Sequence, residues 1–225
     1  MAHCFTCRKE YKILARLADA LGPLGYGTLR FDFAGLGESE GDFAATTLES
    51  KVEDVLGAVR FVAEQGERLA ALLGHSLGGA AALLAGERLL GRPPVIVLGA
   101  SLEAGRRIAG RLSSGELRQL EESGVVEIRI GPAVYPLSRE FLEDLRHLSL
   151  ERPLRSGDFP FLVIHGTADT IVPIAEGERL FAVASEPKAF VAVPGGDHLL
   201  AERREWAASL AAIMDGWLQM SAAPV

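Results

Sequence analysis

The sequence predicts an α/β fold, a mostly parallel sheet with helices on its faces. Two observations carry that expectation. Short apolar runs rich in β-branched or aromatic residues alternate with longer segments of helical periodicity. Most of the runs are apolar throughout and end near glycine or proline, the pattern of strands covered on both faces.

The strand-like runs are Tyr26–Phe33, Leu69–Leu73, Pro94–Leu98, Phe159–Ile164 and Lys188–Val193. Between them, Lys9–Leu21 sets Ile13, Leu14, Leu17, Ala18 and Leu21 on one helical face, and Leu48–Glu64 does the same with Val52, Val55, Leu56, Val59 and Val62. Ala80–Leu90 is an alanine-rich helix, and two further helices are expected around Ile174–Ser185 and Leu200–Leu218. Residues 99–158 break the rhythm, because about sixty residues exceed an ordinary crossover connection. Within them Val125–Ile130 and Ala133–Leu137 flank Gly131-Pro132 and read as a hairpin. The expected organisation is a core of residues 1–98 and 159–225 with 99–158 as a small cap over one end of the sheet.

Composition narrows the function classes. At 225 residues, 48% hydrophobic, the chain can fill one domain core. A net charge of −7 provides no field to hold a phosphate backbone, so nucleic acid is not an expected partner. No apolar run reaches the roughly 18 residues that span a bilayer, and no basic, then apolar, leader opens the chain. With two cysteines and no disulfide framework, a reducing cytoplasm is the expected compartment.

The chemistry lies where Leu69–Leu73 runs into Gly74-His75-Ser76-Leu77-Gly78-Gly79 and then into a helix. G-x-S-x-G between strand and helix presents a strained serine above the sheet, at the positive end of the helix dipole. Ser76 is therefore the expected nucleophile. A serine needs a base, and the base needs an orienting group. Of five histidines, His75 cannot serve the adjacent serine, His147 lies in the cap interval, and His165 ends a strand as a packed residue. His198, in Gly195-Gly196-Asp197-His198 after the last strand, emerges at the sheet edge that carries Ser76. Asp169, after the preceding strand, is preferred as the acid over Asp197, the neighbour of the histidine, and over Asp158, which lies at the wrong edge. His3, Cys4, His75 and Val172 are expected around the substrate pocket.

Asp32-Phe33-Ala34-Gly35-Leu36-Gly37-Glu38 does not make a dinucleotide site: the third glycine is misplaced and acidic residues stand where pyrophosphate would bind. No cofactor is expected. His3-Cys4-Phe5-Thr6-Cys7 lacks the preceding strand of a thioredoxin-like motif. Zinc would need further thiolate or imidazole ligands, and no second cysteine pair exists, so no metal role is expected either.

Through GHSLGG, RFDFAGLGESEGDF, HGTADTIVP and GGDHLL the sequence resembles the α/β-hydrolase superfamily along nearly its whole length. HCFTC followed by RFDFAGLGESEGDF is similar, more narrowly, to hydrolases often fused to an OsmC-like domain, a domain with no counterpart in this sequence. The resemblance implies the α/β-hydrolase fold and the chain order Ser76, Asp169, His198. It also implies an oxyanion hole made by the Phe5 and Leu77 backbone N–H groups. Relative to that family the sequence begins at the oxyanion loop, as an N-terminally truncated form. The family's third strand would lie between Tyr26–Phe33 and Leu69–Leu73. Either those two strands pair directly, another chain fills the slot, or the sequence is a truncated reading. Tyr26–Phe33 would then be an edge open to a second copy, a homodimer.

The expected activity is that of a carboxylesterase-type serine hydrolase on esters of small or medium acyl chains. A peptidase or amidase of the same fold and a catalytically inactive binding module are the alternatives. A dehalogenase would carry aspartate in place of Ser76.

Overall fold

The computed structural model describes residues 1–221; the last four residues of the expected core, 222–225, lie outside the described residues. Four strands form a parallel sheet in the order β1-β2-β5-β6: β1 (Leu72–His75), β2 (Val95–Leu98), β5 (Phe161–Gly166) and β6 (Lys188–Val193). The register runs across it from Leu72 to Val95 to Phe161 to Lys188. Because successive side chains point to opposite faces, each central strand feeds two cores.

On one face Leu73, Ile96, Leu98, Leu162 and Ile164 pack with α1 (Lys12–Leu21) and α9 (Glu205–Ser221). Ile13, Leu14 and Leu17 of α1 are fully buried there, as the helical spacing predicts. On the other face Leu72, Val95, Val97, Phe161 and Val163 meet α2 (Leu48–Glu64), α3 (Leu77–Arg88) and α8 (Ile174–Val183). A capping box starts α2: Ser50 N–H donates to Thr47 Oγ1 at 3.0 Å, and Thr47 N–H donates to Ser50 Oγ at 2.9 Å.

Between β2 and β5 lie α4 (Ala104–Ala109), α5 (Ser114–Ser123), the hairpin of β3 (Val125–Ile130) and β4 (Ala133–Ser138), α6 (Arg139–His147) and α7 (Glu151–Ser156). The hairpin forms its own two-stranded sheet with the register that the Gly131-Pro132 turn suggests. Its apolar residues and those of α6, including Val126, Leu137, Phe141 and Leu145, join the same core as α2 and α3.

One expected strand does not form. Tyr26–Phe33 belongs to no ladder and does not pair with β1. A strand needs a neighbour along its length, and the place beside β1 is held only by the first residues of the chain. Ala2 bridges Gly74 in parallel, its N–H donating to Leu73 O at 2.8 Å and its carbonyl accepting from His75 N–H at 3.0 Å. From there the Met1 ammonium donates to Leu29 O at 2.7 Å, and Phe33 N–H donates to the His3 ring, so the Tyr26–Phe33 segment is tied on at its residues 29 and 33 without a ladder. Burial and the nearby Arg30 lower that ammonium to about 5. Alongside this bridge a cavity of about 770 Å³ opens between Leu29, Phe31, Val59, Leu69 and Leu73.

A second departure from a dry apolar interior is Lys51 on α2. Its side chain is fully buried, and Nζ has no hydrogen-bond partner among the described residues. The ammonium sits 4.9 Å from the Phe33 ring centroid, 5.3 Å from Phe43 and 5.9 Å from Phe141. Burial pulls it down to about 8.

Two predictions follow from this packing. Leu162→Ala, at a fully buried position, should lose about 2–5 kcal/mol in urea unfolding. Lys51→Met should raise the melting temperature at pH 7. The advantage should shrink as the pH is raised above about 8, because the folded wild type then carries neutral Lys51 and no longer pays for a buried charge.

Candidate active site

Ser76 sits between β1 and α3 with φ 54° and ψ −118°, a left-handed conformation unusual for a residue with a side chain. The strain is held from several sides. Ser76 N–H donates to Leu98 O at 2.8 Å, and Gly79 N–H donates to Ser76 O at 2.9 Å. The turn closes so tightly that a Cβ on Gly74 would lie 2.2 Å from Gly78 O. A Cβ on Gly78 would in turn lie 2.3 Å from His3 O. Both glycines are therefore required by close backbone approach, and the second of these contacts fixes the N-terminal loop against the start of α3.

His198 and Asp169, the expected base and acid, lie in the loops after β6 and β5. His198 Nδ1–H donates to Asp169 Oδ2 at 2.7 Å, and both groups are buried. A carboxylate only accepts, so this bond places the proton on Nδ1 and leaves Nε2 as the basic nitrogen. The other carboxylate oxygen, Asp169 Oδ1, accepts from Ile171 N–H at 2.9 Å and Val172 N–H at 2.7 Å. Burial pushes Asp169 up, but the His165 and His198 rings and the Val172 N–H outweigh it and hold the carboxyl well below its usual range. Ser76 Oγ makes no hydrogen bond among the described residues, as is common before substrate tightens such a site.

Of the residues expected around the pocket, His3, His75 and Val172 are buried and Cys4 is partly exposed. His75 is fully buried; its Nε2–H donates to His198 O at 2.8 Å, and its ring stands 4.9 Å from the His198 ring. It therefore braces the His198 backbone. Burial, then the neighbouring His198, lowers it to about 3. His3 is also fully buried: Nε2 accepts from Phe33 N–H at 3.1 Å, and Nδ1–H donates to Cys4 O at 2.8 Å. Val172 acts through its backbone, its N–H on Asp169 and its carbonyl accepting from His165 Nε2 at 2.8 Å. Cys4 and Cys7, for which no disulfide framework was expected, are joined in a disulfide.

Phe5, between the two cysteines, stacks 5.2 Å from Phe141 and 5.6 Å from Phe43. Among the described residues neither its N–H nor that of Leu77 donates a hydrogen bond within the protein. Asp32 holds the loop beside it as a structural residue, accepting from Lys9 N–H at 2.7 Å and Glu38 N–H at 3.1 Å.

Sequence reasoning missed Gly99. With φ +56°, it lies where a Cβ would come within 3.2 Å of His198 Nδ1 and 3.5 Å of Asp169 Oδ2. The signal was present as a glycine at the end of β2, the strand beside the one that carries Ser76.

Residues 1–210 match the alpha/beta hydrolase family. The chain belongs to it. The esterase domain of a Rhodothermus marinus protein is similar, with a TM-score of 0.74 at 32% identity, covering 97% of this chain and 85% of that one. The uncharacterized Mycobacterium tuberculosis protein Rv2307c is 34% identical over 82% of this chain and 57% of its own length. The human mitochondrial palmitoyl-protein thioesterase ABHD10 is 29% identical over 67% of this chain and 49% of its own. The chain thus spans about half the length of these curated relatives.

The buried His75 gives this family member a pH signature. Its folded value is depressed below the unfolded one, so the unfolded chain binds more protons on acidification. Stability from this group is complete above about 6.5 and is lost as the pH falls toward about 3. Urea midpoints between pH 7 and 4 should decline in the wild type and decline less in His75→Gln.

Proposed function

We propose that the protein is a serine hydrolase of carboxylic esters, with Ser76 as nucleophile, His198 as base and Asp169 as the group that orients it. The observation that carries this reading is the buried 2.7 Å His198–Asp169 bond at the same sheet edge as the strained Ser76 turn. Ser76 Oγ attacks the ester carbonyl as His198 Nε2 takes its proton. The imidazolium formed is stabilised by Asp169, which stays ionised. The tetrahedral oxyanion is received by the Phe5 and Leu77 N–H groups, the second reinforced by the N-terminal end of α3. His198 then protonates the leaving alcohol, an acyl-enzyme remains, and water activated by the same nitrogen releases the acid.

Residues 99–158 act as the cap in this reading. The apolar cluster in which Phe5 and Phe43 pack against Phe141 of α6 favours small or medium acyl groups as substrates in this reading. A thioester is a second reading, favoured by the likeness to the palmitoyl-protein thioesterase. It uses the same residues, with a thiolate as leaving group.

A fluorophosphonate probe should label the wild type and not Ser76→Ala; persistent labelling of that variant would overturn the assignment. With p-nitrophenyl esters, Ser76→Ala should lower kcat by about 10⁴-fold or more, and Asp169→Asn by a comparable factor through the wrong imidazole tautomer. Matched p-nitrophenyl ester, thioester and anilide substrates separate esterase, thioesterase and amidase.

A further inference from the structure

The fold brings a third potential ligand to the two cysteines, one that sequence spacing does not show. The sulfurs of Cys4 and Cys7 and a ring nitrogen of His75 lie within 4.8 Å of one another. The donors of one tetrahedral zinc stand about 3.5–3.8 Å apart, so once reduction breaks the S–S bond the two sulfurs need only part, and the ring nitrogen draw in, for this set to reach coordination distance. His75 is suited to the role by its second bond. The carbonyl of His198 can only accept, so Nε2 carries the proton and Nδ1 keeps a lone pair. That Nδ1 is buried and has no hydrogen-bond partner among the described residues. A histidine whose other nitrogen donates to a backbone carbonyl is oriented as metal-ligating histidines are. Both cysteines are partly exposed, which leaves a route of entry.

We propose that Cys4, Cys7 and His75 bind a borderline-soft divalent cation of the zinc type once the Cys4–Cys7 disulfide is reduced. Disulfide and metal are alternative occupants. A small-molecule dithiol supplies the two electrons: the protein S–S bond breaks, two protein thiols form, and the reductant leaves as its own cyclic disulfide. Each thiol then loses its proton as sulfur bonds to the cation. Three protein donors leave the fourth position to water. The cation would tether the loop carrying Phe5 to the residue that braces His198. The site is independent of which ester is cleaved.

The other acidic cluster, Glu10, Asp32 and Glu38, does not compete, because Lys9 Nζ lies 3.7 Å from Glu10 and 3.4 Å from Asp32 and bonds Glu38. Its charges are already partly neutralised.

The test titrates Co²⁺ into the full chain after dithiothreitol reduction and anaerobic desalting. A thiolate-to-cobalt charge-transfer band should saturate at one equivalent, give way to Zn²⁺, and be absent from oxidised protein. Cys4→Ser/Cys7→Ser should abolish the band, and His75→Gln should weaken binding by about tenfold or more. Because His75→Gln also removes a brace on His198, the wild type is read separately. Its Co²⁺ form should show a hyperfine-shifted, exchangeable imidazole N–H resonance from Nε2 of His75. No band in the reduced wild type, unchanged affinity in a folded His75→Gln, or no shifted imidazole N–H would each overturn the proposal.

Discussion

The turn between β1 and α3 is the constraint on which the rest of the structure depends. Ser76 keeps a left-handed backbone only because everything around it is fixed, and such strain costs about 1–3 kcal/mol that neighbouring contacts must supply. Gly74 and Gly78 supply part of it by letting backbone meet backbone where any Cβ would collide. The sheet supplies another part: Leu98, at the end of β2, accepts from Ser76 N–H and ties the turn to the adjacent strand. The loop through His3 closes the third side, its carbonyl lying against Gly78.

Around that turn the histidines divide their work by burial. His198 sits at the surface of the group, aligned by Asp169 with Nε2 left as a base. His75 and His165 lie deeper and carry no such freedom: the first holds the His198 carbonyl, the second the Val172 carbonyl beside Asp169. Three rings with the same chemistry thus come to three different settings. The difference is only which partner each nitrogen meets. Asp169 is the meeting point, receiving two backbone N–H groups on one oxygen and the His198 ring on the other, which keeps it ionised despite burial.

The N-terminal loop joins this arrangement to the helices that cover it. Phe5 packs among Phe43 and Phe141, while the backbone of Ala2 and His3 lies against Gly78 at the start of α3. The disulfide across Cys4 and Cys7 narrows the conformations of Phe5 between them.

Much of this could be read from the chain. Helical spacing located the buried faces of α1 and α2. The all-apolar runs located four parallel strands, because a strand covered on both faces has no polar side to show. Ser76, Asp169 and His198 stood out because each follows a different strand, and parallel strands bring their carboxyl ends to one edge. Family membership and the α/β-hydrolase fold follow from the same motifs.

What the sequence could not decide were properties of pairs. Tyr26–Phe33 has strand composition but forms no strand, since a strand exists only beside a partner and just one bridging residue lies along β1. His75 and Val172 looked like pocket residues because local spacing places them near the serine and the acid. Only the packed fold shows which way each one is turned. The same holds for Lys51, whose aromatic surroundings come from three separate segments, and for His75 beside Cys4 and Cys7. Periodicity and motif spacing record contacts within an element, whereas these contacts join residues distant in the chain, so they exist only once the layers have closed.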